Sequence, residues 1–173
     1  FKEDLYAAGN GGPVLVRLHS GGGDIFAAST IRAMLAEYPG KVTVNVMGLC
    51  ASAAVGVAMA ADEVNVMDTA YFMIHNPAYA FFGAMLDADT MRKMADDLEI
   101  FKDGILGAYA DRTGMNRDEL SAMMNAETWM TAQEAVDKGF ADAVIRGGKK
   151  MDMAAAVQNF VNVPSVLLNA AVV

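Results

Sequence analysis

Hydrophobic and polar positions along this chain change period from block to block. The run Pro13-Val14-Leu15-Val16-Arg17-Leu18 is short and apolar, and Gly21-Gly22-Gly23-Asp24 follows it. That reads as a strand, a turn and the start of a helix with Asp24 as N-cap. Ile25, Ala28, Ile31, Met34 and Leu35 then recur at helical spacing, and Pro39-Gly40 stops the helix. Val42, Val44 and Val46 alternate with Thr43, Asn45 and Met47, which is the period of a strand. Gly48 is expected to interrupt it, with a helix of small residues beginning at about Ser52. Glu63–Met67 and Tyr71–Ile74 read as two more strands. This rhythm predicts an α/β domain with a largely parallel sheet. At the front, Leu5 to Ala8 reads as the end of a helix closed by Gly9. Phe1-Lys2-Glu3-Asp4-Leu5 has the texture of a helix interior, so residues upstream of Phe1 are expected to be missing.

The second half is mainly helical. Between Asp87 and Arg112, apolar residues fall at Met91, Met94, Leu98, Phe101, Ile105 and Ala108, at intervals of 3, 4, 3, 4 and 3. Such a narrow stripe marks a long amphipathic helix. Pattern alone favours a helix lying on its own sheet over one that projects and packs on another subunit. A short helix is predicted over Arg117–Met124, and another over Thr131–Lys138, with Thr131 as N-cap and Glu134 at the capping-box position. Gly139–Val144 reads as a last strand. Beyond Gly147-Gly148, Met153–Val173 carries no charge but includes Pro164 and several Asn, the texture of an accessory or interface segment. No internal repeat and no dividing linker is visible.

Composition narrows the function classes. At 173 residues the chain can bury one proper core. A net charge of −8 argues against a nucleic-acid binder, which needs a basic stripe. The single cysteine, Cys50, excludes a disulfide framework and a Cys-cluster metal site, and fits a reducing, cytoplasmic compartment. Val42 to Ala61 is a run of twenty uncharged residues, the length of a membrane span. Its alternating first part and its Ala- and Gly-rich second part instead favour a strand, a turn and a buried helix, so no membrane segment is expected. No basic region followed by an apolar stretch opens the chain, so no signal peptide is visible.

Three places could carry chemistry: the glycine turn Gly21–Gly23, the segment Gly48-Leu49-Cys50-Ala51-Ser52-Ala53-Ala54, and Met73-Ile74-His75-Asn76-Pro77. Each lies just past a predicted strand, where open α/β sheets gather ligand sites. The glycines fit neither GxGxxG nor GxxxxGK[ST], so a nucleotide site is poorly supported. They can equally make a tight turn or present backbone N–H groups to an oxyanion. Ser52 reads as a plain N-cap or as a nucleophile at the positive end of a helix, and it is not in a GxSxG elbow. Cys50 competes as a nucleophile, although small buried cysteines are mostly inert. His75 and His19 are the two histidines, without a carboxylate cluster that would suggest a metal. A serine needs a base within hydrogen-bond reach, and His75 is the candidate.

Four segments in order carry a resemblance: Ser20-Gly21-Gly22-Gly23-Asp24; Met47-Gly48 followed by Ala51-Ser52-Ala53-Ala54; Met73–Pro77; and Trp129-Met130-Thr131-Ala132 with Glu134, Ala135, Gly139 and Asp142. Together, from about Pro13 to Val144, they resemble the ClpP serine peptidases. The Gly-Gly-Gly-Asp form and the C-terminal extension are more similar to prophage-encoded ClpP-like peptidases, some of which process capsid proteins. The resemblance implies a ClpP/crotonase-like spiral of strand–helix units with a long projecting helix. It implies a peptidase domain over residues 1–147, N-terminally incomplete, and an extension over 148–173. Ser52 would be the nucleophile and His75 the general base, with Gly23 and Ala53 supplying the oxyanion hole. The acid, usually Asp, falls at Glu127, one methylene longer, with Asn125 as a nearby substitute. Peptide would lie as an extended strand between Gly22, Asp24 and Ile25 on one side and Pro77, Ala78 and Tyr79 on the other. The family works without metal or cofactor, as a homo-oligomer of stacked rings joined through the long helix. This raises the second reading of the Met91–Ala108 stripe, and the 14 methionines suit repacking faces. The segment that contacts an unfolding ATPase in the family is not visible, which leaves such a partner open. The expectation is thus a serine endopeptidase acting on peptides or unfolded chains through an acyl-enzyme. Two alternatives are a crotonase-like acyl-CoA enzyme and an inactive scaffold of the same fold.

Overall fold

Strand β2 organises the molecule. A computed structural model of the chain describes residues 1–147, 157 and 160–168. The elements in order are α1 (Lys2–Gly9), β1 (Val14–Ser20), α2 (Ile25–Ala36), β2 (Val42–Ala51), α3 (Ala53–Ala58), β3 (Glu63–Met67) and β4 (Tyr71–Ile74). They continue with α4 (Ala88–Thr113), α5 (Arg117–Asn125), β5 (Thr128–Thr131), α6 (Ala132–Asp137), β6 (Ala143–Ile145) and a short α7 (Ser165–Leu168). The six strands form one sheet in the order β5-β4-β2-β3-β6, with β1 also on β2. Every pairing is parallel except β4 with β5.

Gly48 does not end the second strand as the sequence suggested. β2 runs on to Ala51 because it exchanges one neighbour for another on the way. Thr43–Val46 pair with Glu63–Val66 of β3, whereas Leu49–Ala51 pair with Tyr71–Met73 of β4. Opposite, β1 follows β2 with a register irregularity between Leu18 and Ser20. The exchange curls the sheet. It also buries β2 almost throughout, which is why Val42–Ala61 carries no charge: Val42, Val44, Val46, Leu49, Cys50 and Ala51 are all buried, and so are Val55, Val57 and Ala58 of α3. Among the described residues no helix is long and apolar enough to cross a membrane.

The main core joins these valines to Val64, Val66, Phe72 and Ile74, and covers them with Leu35, Tyr109, Leu120 and Phe140. A smaller cluster holds Leu49, Ala51 and Met73 against Val157 and Leu167 from beyond the last strand, with Trp129 and Phe160 at its border. The expected accessory segment therefore docks on the sheet where it is described; its residues 148–156, 158–159 and 169–173 lie outside the described residues.

Local signals behave as their chemistry dictates. Asp24 caps α2 by accepting from the Ala27 N–H at 2.7 Å, and Asp87 caps α4 by accepting from the Thr90 N–H at 2.8 Å. Thr131 and Glu134 form the full capping box of α6. The long α4 does not lie on the sheet along its length. Its buried residues are Leu106 and Tyr109, in its last turns, while Met91 and Ile100 stay exposed at 53% and 68%.

Candidate active site

The three glycine- and histidine-bearing segments meet because β1, β2 and β4 all end at the same edge of the sheet. Ser52 is the joint between β2 and α3, held at φ 56° and ψ −128°. A non-glycine residue there is strained, and such strain persists only where surrounding bonds fix it. Two do so: the Ser52 N–H donates to the Met73 carbonyl at 2.8 Å, and the Ser52 carbonyl accepts from the Val55 N–H at 3.0 Å. The plain N-cap reading fails, because the Ser52 side chain makes no capping bond to α3. Its hydroxyl oxygen instead lies 2.7 Å from His75 Nε2.

His75 follows directly on β4 and is half-buried. Burial holds its pKa below the ordinary imidazole value of 6.5, and the negative charge of Glu127 works in the opposite direction. Glu127 reaches this position through a strand that the periodicity did not reveal. β5 runs antiparallel to β4 with Ile74 opposite Thr128, so His75, one residue after Ile74, and Glu127, one residue before Thr128, come to neighbour each other. Glu127 also has a positive φ, 50°. Its carboxylate accepts from the Trp129 indole N–H at 3.3 Å, the Val161 N–H at 3.1 Å and the Asn162 N–H at 2.6 Å. Asn125 is turned elsewhere: its Oδ1 accepts from Asn76 Nδ2 and Lys102 Nζ.

Gly22 adopts φ 92° and Gly23 φ 135°. Gly22 presses against the Ser52 elbow so closely that a Cβ on it would meet the Ala51 carbonyl oxygen at 2.7 Å and Ser52 Cβ at 2.7 Å. Only glycine combines that φ with that approach. A Cβ on Gly23 would meet nothing, so the backbone there faces open space. Ala53 is the first residue of α3, and its N–H has no partner within the helix. The glycine turn and the start of α3 thus approach each other closely at Ser52.

Beside Ser52 and His75 lies a cavity of about 320 Å³ between α2 and α4. Ile25, Ala28, Ser29 and Arg32 line it from α2, spaced to share one helical face, and Phe101, Ile105, Ala108 and Tyr109 line it from α4. Part of the methionine-led stripe of α4 thus serves the site. Arg32 and Tyr109 escaped the sequence reading; the i, i+3, i+4, i+7 series from Ile25 is the signal that contained Arg32. Of the expected peptide contacts, Ile25 and Pro77 line this cavity. Gly22 and Asp24 border a second depression together with Ala53. Ala78 and Tyr79 are exposed and stand off the cavity wall, with Tyr79 packed on Phe81 at 5.7 Å between centroids.

The remaining candidates sort by burial. Cys50 is fully buried and its thiol pKa is pushed up by desolvation, so it holds no thiolate to compete with Ser52. His19 accepts the Leu49 N–H on Nδ1 at 3.1 Å, a structural bond between β1 and β2.

Comparison with known proteins adds a family. The model of the Clp protease family matches residues 5–148. The ATP-dependent Clp protease proteolytic subunit 1 of Protochlamydia amoebophila is 28% identical over 151 residues, 82% of this chain and 69% of that protein. The protein of the same name from Streptomyces avermitilis is 28% identical over 133 residues, covering 74% of this chain and 58% of its own length. Among solved structures, a point mutant of ClpP1 from Listeria monocytogenes superposes with a TM-score of 0.73 at 24% identity, over 84% of this chain and 80% of that one. At that identity the likeness speaks for the fold.

Proposed function

The chain belongs to the Clp protease family, and on that footing we propose that it is a serine endopeptidase in which Ser52, His75 and Glu127 act as nucleophile, base and orienting acid. The observation that carries the proposal is the 2.7 Å separation of Ser52 Oγ and His75 Nε2 at a strained strand–helix joint. A serine hydroxyl is a weak nucleophile by itself, and an imidazole at that distance can take its proton as the oxygen attacks.

The reaction runs as acyl transfer. Ser52 Oγ adds to the scissile carbonyl while its proton passes to His75 Nε2. The negative charge that develops on the carbonyl oxygen is received by the N–H groups of Gly23 and Ala53, aided by the N-terminal end of α3. His75 then protonates the leaving amine and the acyl-enzyme forms on Ser52; water, deprotonated by the same imidazole, releases it. Glu127 holds a negative charge near the imidazolium that forms in both steps. The apolar cavity between α2 and α4 receives a substrate side chain, and the peptide extends along the Gly22–Ile25 and Pro77–Tyr79 segments as an added strand.

Relatives named as proteolytic subunits of an ATP-dependent protease support work within a larger assembly alongside an ATPase; the arrangement proposed for it is a homo-oligomer of stacked rings acting on unfolded chains. The exposed apolar residues of α4 and of the loop before it, such as Phe82 and Met85, fit contacts between copies. A cytoplasmic location completes the proposal.

A fluorophosphonate probe tests the reaction. It is expected to label Ser52, and Ser52→Ala is expected to abolish labelling and to lower peptide cleavage by about 10⁴- to 10⁶-fold. Cleavage that persists in a folded Ser52→Ala variant overturns the assignment.

A further inference from the structure

Glu127 is held from outside the family-matched region, which ends at residue 148. Both of its carboxylate oxygens accept main-chain N–H groups from the C-terminal extension: Asn162 on Oε1 at 2.6 Å and Val161 on Oε2 at 3.1 Å. Asn162 Nδ2 adds a bond to the Ala126 carbonyl at 3.3 Å, so the extension grips the residue before Glu127 as well. One residue before Val161, the Phe160 ring stands edge-on to His75, with centroids 5.5 Å apart, and edge-on to Trp129 at 5.7 Å. Val157 and Leu167, on either side of this grip, are buried in the cluster with Leu49, Ala51 and Met73.

We infer that the extension around Phe160–Asn162 is a positioning clamp for the catalytic pair, fixing the Glu127 carboxylate beside His75 and covering the imidazole with the Phe160 ring. The inference rests on the serine-peptidase reading above. Its physical basis is the freedom of a glutamate. That side chain has one more rotatable bond than an aspartate, and holding it in one arrangement costs rotamer entropy. Hydrogen bonds from N–H groups to a charged carboxylate are stronger than those between neutral groups, and two from one short segment offset that cost. Together with the Trp129 indole they use three of the roughly four lone-pair sites of the carboxylate and hold it where its charge acts on His75. Around His75 the charged groups on neighbouring elements are Glu127 before β5, Arg32 on α2 in the shared cavity, and Lys102 on α4, whose ammonium is held by Asn125. Glu127 is the one whose charge acts on the ring.

Proline lacks an N–H, so Asn162→Pro deletes the 2.6 Å bond from the full-length chain. The readout is the rate of fluorophosphonate labelling of Ser52 across pH, with thermal melting as the folding control. Asn162→Pro is expected to slow labelling by roughly ten- to hundredfold and to move its pH midpoint down, as Glu127→Gln does, because the charge that favours imidazolium no longer stays beside His75. Asn162→Ala keeps the N–H and loses only the Ala126 bond, so its midpoint is expected to fall less than that of Asn162→Pro. The Glu127→Gln/Asn162→Pro double variant is no slower than Glu127→Gln alone. Val161→Pro, which removes the donor to the other oxygen, repeats the comparison if the first proline variant does not fold. A midpoint that stays put, or that rises toward the ordinary imidazole value because water reaches the ring, overturns the clamp, and so does additivity in the double variant. Wild-type protein that is folded yet unlabelled at Ser52 overturns the peptidase reading itself, and the clamp with it.

Discussion

His75 joins two opposing influences at one residue. Its half-buried ring favours the neutral form, while Glu127 favours the charged one, and burial is the larger of the two. In the proposed role of general base, which works only when unprotonated, the net depression keeps His75 competent into mildly acidic solution. The pH profile of labelling or of kcat/KM is therefore expected to be half-maximal below the ordinary imidazole value of 6.5. A profile centred above that value contradicts the burial described for this ring. The sign for stability is the same: the unfolded chain protonates His75 at the ordinary value and the folded one does not, so stability is lost as pH falls through that window. Ser52 and Cys50, two residues apart, show what burial does to nucleophiles. The hydroxyl faces the imidazole across a strained joint, whereas the thiol is sealed in the core with its ionisation suppressed.

At the level of elements, the glycine turn and the Ser52 joint act as a matched pair. A Cβ on Gly22, which stands at φ 92°, would meet the backbone of Ala51 and Ala53, so the glycine turn and the Ser52 joint rest closely on each other. Gly22→Ala is expected to lower stability by about 2–3 kcal/mol, from the positive φ together with the overpacked Cβ. Thermal melting gives the first quantity, and labelling should fall at least roughly tenfold in the folded fraction because Ser52 is displaced. An unchanged melting point and rate would mean that the two loops are not coupled. Element by element, much of this was readable beforehand: β3 and β4 fall on the predicted residues, and Asp24 and Thr131 cap helices as expected. β5 was not readable, because its four residues are flanked by two helices and are too short to show a period. Its signal was the Trp129 motif alone. Gly48 misled for a related reason: a glycine inside a strand marks a bend as readily as an end, and here it sits where β2 changes neighbours.

For the molecule as a whole, α4 is the outlying element. Leu106 and Tyr109 anchor its last turns, Phe101, Ile105 and Ala108 face the cavity, Ile100 stands at the cavity's exposed rim, and Met91 remains uncovered by this chain. An apolar surface of that kind, on a helix standing away from its own sheet, fits contact with further copies. Sedimentation velocity is expected to find an oligomer for the wild-type chain. Met91→Asp combined with Ile100→Asp is expected to shift the distribution to smaller species without lowering the melting point of the protomer, since neither side chain is buried in it. A wild-type protein that sediments as a monomer at micromolar concentration, or charged variants that assemble unchanged, would remove this role from α4.

The alternation of strands and helices, the caps at Asp24 and Thr131, the burial of Val42–Ala61 and the candidate pair Ser52 and His75 are all legible along the chain. Each of these is written in a local period, in a cap, or in residues adjacent along the chain. How His75 and Glu127 come to neighbour each other is visible only in the fold, since it follows from the antiparallel register of two strands far apart in sequence. The fold alone placed Arg32 and Tyr109 in one cavity and set Val161 and Asn162 on the Glu127 carboxylate. Main-chain N–H groups are common to nearly every residue. A contact made by them leaves no mark on composition or spacing, and it becomes visible only when the chain has closed on itself.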